Sequence, residues 1–91
     1  MVLNLNYNCY SLRKITKKSS EIISTKDNLS LMGLLDILIS KYGKDFANHL
    51  IDSELKELKL LVLINGMSSG NLNTNLNNLD NINFLYLTAG G

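Results

Sequence analysis

Residues 2–10, VLNLNYNCY, alternate apolar and polar side chains almost without error. Leu3, Leu5, Tyr7 and Cys9 fall on one side; Asn4, Asn6 and Asn8 fall on the other. A period of two over this length fits a strand with one buried and one wet face, and a helix cannot satisfy it. The chain must therefore build a sheet and find something apolar to cover one side of it.

The covering element is legible further along. Leu31, Leu34, Leu35, Leu38, Ile39 and Tyr42 recur at helical spacing, with Asn28 or Ser30 available as N-cap and Gly43 where a left-handed C-terminal cap is expected. Before this helix, the charged stretch 12–20 reads as a turn region, and EIIS (21–24) as the returning strand of a hairpin. After it, KDFANHLI (44–51) is expected to hold a short helical turn with Phe46 and Leu50 inward. DSELKELK (52–59) reads as solvated.

LLVLI (60–64) is a nearly continuous apolar run closed by Asn65-Gly66, which predicts a strand buried on both faces and a tight turn. Residues 67–81 are polar with Leu72, Leu76 and Leu79 as expected anchors. INFLYLT (82–88) then alternates with apolar residues on both faces, as a central strand does. The expected class is α+β: a mixed sheet of four or five strands with one main helix packed on one face, in a single domain over residues 1–91.

Composition narrows the function classes. Hydrophobic content of 45% with 19% charged suits a globular domain of this length. Nine basic and eight acidic residues leave a net charge of +1, a balance that predicts no nucleic-acid or membrane-surface partner. Cys9 is the single cysteine, so no internal disulfide or cysteine metal cluster can form, and a reducing, cytoplasmic setting is expected in the absence of a signal-peptide pattern.

Catalytic chemistry is scarce. His49 is the only histidine and is expected at the rim of a short helix; Cys9 is expected to point inward as a small apolar group. Asp52, Glu54 and Glu57 alternate with Lys56 and Lys59, as solvated faces do, and Asp80 reads as closing a turn. NGMSSGN (65–71) lacks the lysine and following helix of a phosphate-binding loop, and no metal site is expected. A chain so equipped is expected to run no chemistry by itself.

Three segments carry a family resemblance. LVLINGM (61–67) resembles a buried strand ending in Asn-Gly, LDNINFLYLTAGG (79–91) resembles an Asp-led final strand, and the sequence closes on Gly90-Gly91. With the element order above, the whole chain resembles the β-grasp or ubiquitin-like fold, and within it the small sulfur carriers typified by the small subunit of molybdopterin synthase. It departs at two places: Leu79 stands where members often carry glycine, and Tyr86-Leu87 stand where they often carry two prolines.

The resemblance implies that the reactive group is the main-chain carboxylate of Gly91. An α-carboxylate is an anion at neutral pH and a poor electrophile. In the family a separate adenylating enzyme activates it with ATP and magnesium, and a sulfur donor protein then turns it into a thiocarboxylate. No cofactor is expected to be bound by the chain itself. The large catalytic subunit of molybdopterin synthase is the expected recipient.

Ala89 and Gly90 would thread the tail into partner active sites, since glycine lets another backbone approach closely. Phe84, Tyr86, Leu87 and Met67 are the expected partner-binding residues, with core packing as the competing role for Phe84 and Tyr86. The same Gly-Gly logic leaves two other functions open. One is sulfur carriage for thiamine or transfer-RNA thiolation; the other is a protein modifier joined to lysines through Gly91. A β-grasp interaction module with an accidental Gly-Gly is the remaining class.

Overall fold

A computed structural model describes residues 1–25, 28–52, 54–55, 57–69 and 71–86. Strand β1 (Val2–Asn8) leads into helix α1 (Tyr10–Thr16) and strand β2 (Ser20–Ser24). Helices α2 (Leu31–Tyr42) and α3 (Lys44–Leu50) follow, then a ribbon of β3 (Ile51–Asp52) and β4 (Glu57–Leu58). Strands β5 (Leu60–Ile64), β6 (Met67–Ser68) and β7 (Asn81–Tyr86) complete the chain. The main sheet runs in the order β2-β1-β7-β5-β6, with β1 and β7 parallel at its centre and the other neighbours antiparallel.

The alternation in β1 does what its period demands: Leu3, Leu5 and Tyr7 are buried, with Cys9 just beyond them. They meet Leu31, Leu34, Leu35 and Leu38 of α2, Phe46 and Leu50 of α3, and Val62, Ile82 and Phe84 of the neighbouring strands. Each such fully buried large side chain contributes about 1.5–3 kcal/mol through water released from apolar surface. Tyr7 stacks on Phe84 with ring centroids 5.7 Å apart, so this pair fixes the parallel register at the centre.

Ser30 is the N-cap of α2; its hydroxyl accepts from the Gly33 N–H at 3.1 Å. Gly43 ends that helix with φ +90° and ψ −166°, a conformation essentially reserved for glycine. It is not the left-handed cap the sequence suggests. The chain breaks more sharply, so α3 begins at the next residue and turns Phe46 and Leu50 inward, as their spacing predicts.

Three expectations need correcting. The stretch 12–20 is not a simple turn: α1 occupies much of it, because Leu12, Ile15 and Thr16 recur at helical spacing and dock on the core while Arg13 and Lys14 face water. Residues 52–59 contain the small antiparallel ribbon, in which Ile51 pairs with Leu58, and Asp52 Oδ1 accepts from the N–H groups of Glu54 and Leu55. Strand β5 is buried on one side only; Leu60 and Val62 face the core, whereas Leu61, Leu63 and Ile64 are half-buried. The helices cover a single face of the sheet, so the other face keeps its leucines at the surface.

Leu79 is the fourth correction. It anchors nothing: its side chain is 63% exposed and its φ is +71°. A left-handed conformation costs a residue with a Cβ about 1–2 kcal/mol, which accounts physically for a glycine preference at such a position. Replacing Leu79 with glycine removes the strain while losing little burial. The expected result is a gain of about 1 kcal/mol in urea unfolding, and a rise of roughly 4–8 °C in melting temperature for a domain of this size.

Candidate functional site at the end of the central strand

The last strand is held from three directions. β1 flanks it on one side and β5 on the other, and its start is locked by a side-chain clasp. Asn65, in the β5–β6 turn, donates from Nδ2 to Asp80 Oδ1 at 2.7 Å and accepts on Oδ1 from the Asn81 N–H at 2.9 Å. The second Asp80 oxygen accepts from the Asn77 N–H at 2.7 Å. The turn itself uses φ +53° at Asn65 and +83° at Gly66, the paired left-handed residues of a two-residue hairpin. Asn-Gly and the acidic residue, fifteen positions apart in sequence, thus form one device, anchored on the buried Asp80, that sets where β7 begins.

At its far end β7 leaves the core. Ile82 and Phe84 are fully buried, and Tyr86 on the same side is 50% exposed. Its hydroxyl accepts from the Ser11 N–H at 3.1 Å, tying the strand end to the first turn of α1. Leu87, Ala89, Gly90 and Gly91 lie outside the described residues.

Among the described residues, the expected docking residues Phe84, Tyr86 and Met67 do not gather. Phe84 is a core residue and offers no side-chain surface to a partner, because Tyr7 and the helices enclose it. Met67 is 75% exposed but sits opposite Ile64, which pairs with Ile82 at the start of β7. That places it about 13 Å along the sheet from Tyr86. A different group lies close to the strand end. Leu61 pairs with Leu85 and Leu63 with Asn83, so these half-buried leucines share the uncovered face. Their outward position was hidden in sequence by the continuous apolar run of 60–64.

The cluster around Glu21 was also missed. Its carboxylate, only 6% exposed, accepts on Oε1 from the phenols of Tyr7 and Tyr42, each at 2.5 Å. On Oε2 it meets Lys18 Nζ at 3.2 Å and Lys41 Nζ at 2.8 Å. Burial alone would raise its pKa, but these four donors win and hold it down at about 2. Burial and the adjoining carboxylate push the Tyr7 phenol well above its ordinary value. A lone glutamate in EIIS gives no sign of this, because its partners come from three other segments.

His49 is exposed and donates from Nδ1 to the Asp45 carbonyl at 2.8 Å; Cys9 is buried. Among the described residues no group of acids, histidines and cysteines could hold a metal ion, and no helix is long and apolar enough to cross a membrane.

No model of a known protein family matches the chain, and no curated protein matches its sequence. Solved structures do. SAMP1 from Haloferax volcanii superposes with a TM-score of 0.79 at 15% identity, each chain covered in full. Urm1 from Trypanosoma brucei gives 0.73 at 23% identity, covering 99% of this chain and 95% of its own. The complex of subunits 1 and 2 of the molybdopterin-converting factor from Helicobacter pylori gives 0.65 at 21% identity, again with full coverage of both chains. The mixed five-stranded sheet, the helices on one face and these neighbours agree: the chain has the β-grasp, ubiquitin-like fold, and its structural neighbours are ubiquitin-like sulfur carriers.

Proposed function

We propose that this chain is a sulfur carrier whose Gly91 carboxylate becomes a thiocarboxylate and gives up its sulfur in molybdopterin synthesis. A partner adenylating enzyme, using ATP and magnesium, joins the carboxylate to AMP and releases pyrophosphate. Sulfur at the oxidation level of sulfide, from a donor protein, then displaces AMP. The large catalytic subunit of molybdopterin synthase takes the loaded carrier. The reaction runs in the cytoplasm, in keeping with the single thiol.

One observation carries the reading. The central strand is flanked on both sides and clasped at its start by Asn65 and Asp80, and in sequence it runs within five residues of its last described position to Gly91. A rigid platform followed directly by Gly90-Gly91 suits a carrier that presents its reactive carbon to enzymes. The half-buried Leu61, Leu63 and Leu85 supply apolar surface beside it for a partner.

The test is the intact mass of the protein from its native host, before and after alkylation. A species heavier by one oxygen-for-sulfur exchange, mapped to the Gly91 peptide and not to Cys9, is expected. Free carboxylate alone, with adenylating enzyme, ATP and sulfur donor all supplied, overturns the reading. A second reading has an observation in its favour: the Haloferax neighbour is named a small archaeal modifier protein. Conjugation of Gly91 to lysines would appear as a ladder of tagged products, and the two activities are compatible on one carboxylate.

A further inference from the structure

The net charge of +1 conceals a separation of charge that only the fold reveals. Arg13, Lys14, Lys17, Lys18, Lys41 and Lys44, six of the nine basic residues, lie on α1, just after it, or where α2 meets α3. The nearby acids are Asp45 at the start of α3 and Glu21 on β2, and Glu21 is already committed to Lys18 and Lys41. Between α1 and the α2–α3 corner lies a groove of about 570 Å³, lined by Tyr10, Lys14, Lys17, Tyr42, Asp45 and His49. Lys14 and Lys17 have no acidic partner among the described residues, and Tyr10 is 64% exposed beside them.

We infer that this groove receives an acidic segment of the protein that handles the tail, its carboxylates meeting Lys14 and Lys17 and its apolar side chains lying on Tyr10. The inference rests on the proposed carrier function for the partner's identity. The groove adjoins the business end of the molecule: Ser11, in its wall, holds the hydroxyl of Tyr86 at the end of β7. A partner that grips residues beyond Tyr86 reaches the groove without releasing the strand.

The chemistry has a precedent inside the molecule. On the other side of Tyr42, the fold clamps the Glu21 carboxylate between two lysines and two phenols. The groove offers a second pair of lysines, Lys14 and Lys17, and a second tyrosine, Tyr10, with Asp45 as the one carboxylate in its lining. Asp45 in the wall argues for a peptide over a nucleic-acid backbone. It repels a continuous row of phosphates, but it can accept a hydrogen bond from a peptide N–H.

The test is a titration of the full-length, ¹⁵N-labelled protein with a short acetylated oligoglutamate peptide containing one tyrosine. Amide shifts are expected to cluster on α1 and the start of α3 and to weaken with added salt. The double charge reversal Lys14→Glu with Lys17→Glu is expected to weaken binding by roughly tenfold or more at an unchanged melting temperature, because both side chains are exposed. Shifts elsewhere, or affinity indifferent to the double reversal, overturn the inference. So does an oligouridylate of equal charge that binds the same residues more tightly. The peptide titration does not need the tail, so a protein that binds the peptide but never acquires sulfur refutes the carrier function and leaves the groove standing. A protein that acquires sulfur but ignores the peptide does the reverse.

Discussion

Gly90→Val is expected to abolish adenylation of the chain while leaving its melting curve unchanged. Acyl transfer depends on the reacting carboxylate being held in line, and a displacement on the scale of a branched Cβ costs about a hundredfold or more in rate. A two-methyl side chain next to the reactive residue would meet the walls of any channel narrow enough to exclude water from an acyl-adenylate. Gly91→Ala is expected to be milder, because its Cβ sits at the end of the thread. The check is pyrophosphate release by the cognate adenylating enzyme, alongside thermal melts of each variant. Equal turnover by wild type and Gly90→Val would remove the reason for glycine there.

The second large effect concerns stability and has nothing to do with the tail. Glu21→Ala is expected to cost about 3 kcal/mol, because it leaves the buried Tyr7 phenol without its acceptor and takes the shared carboxylate from Tyr42, Lys18 and Lys41. Glu21→Gln keeps the shape and loses the charge, so it isolates the titration. The folded-state pKa near 2 lies below the ordinary 4.5, so the contribution is fully present above about pH 5. It fades as pH falls through 4.5 towards 2. Allowing for screening at the exposed ends of Lys18 and Lys41, it amounts to about 2 kcal/mol. Between pH 6 and pH 2 the wild type should therefore lose that much more stability in urea than Glu21→Gln does. Parallel pH dependence in the two proteins would dissolve the cluster's energetic role.

Local signals were legible wherever the physics is local. The period of two in β1, the stripe and Ser30 cap of α2, and the Asn65-Gly66 hairpin all act over a few residues, and all three appear where the pattern puts them. Helix α1 was obscured because two apolar residues, Leu12 and Ile15, among four cations resemble a charged turn until a core exists for them to face. The fate of β5 could not be read from its five apolar residues, since only the placement of the helices decides which side is covered. The exposure of Leu79 is not legible because its positive φ belongs to a loop tied by backbone to Val2, far away in sequence. The carboxylate cluster joins Glu21 to Tyr7, Lys41 and Tyr42, fourteen to twenty-one positions away, and the basic groove joins α1 to the α2–α3 corner, so neither shows as a local pattern. For the tail, the sequence supplies the Gly-Gly pair and the fold supplies the platform.

The pairing of β1 with β7 has a consequence for how this protein is made. Asn4 is the neighbour of Asn81, and Tyr7 of Phe84, so the middle of the sheet joins residues seventy-seven positions apart. Contacts of such long range close late and slowly. A nascent chain that has reached only Leu79 still shows the β7-facing edge of β1 to its surroundings, an open template for pairing with other chains. Completion of the centre therefore waits for β7 itself, and a polypeptide cut short before that strand lacks the middle of its sheet.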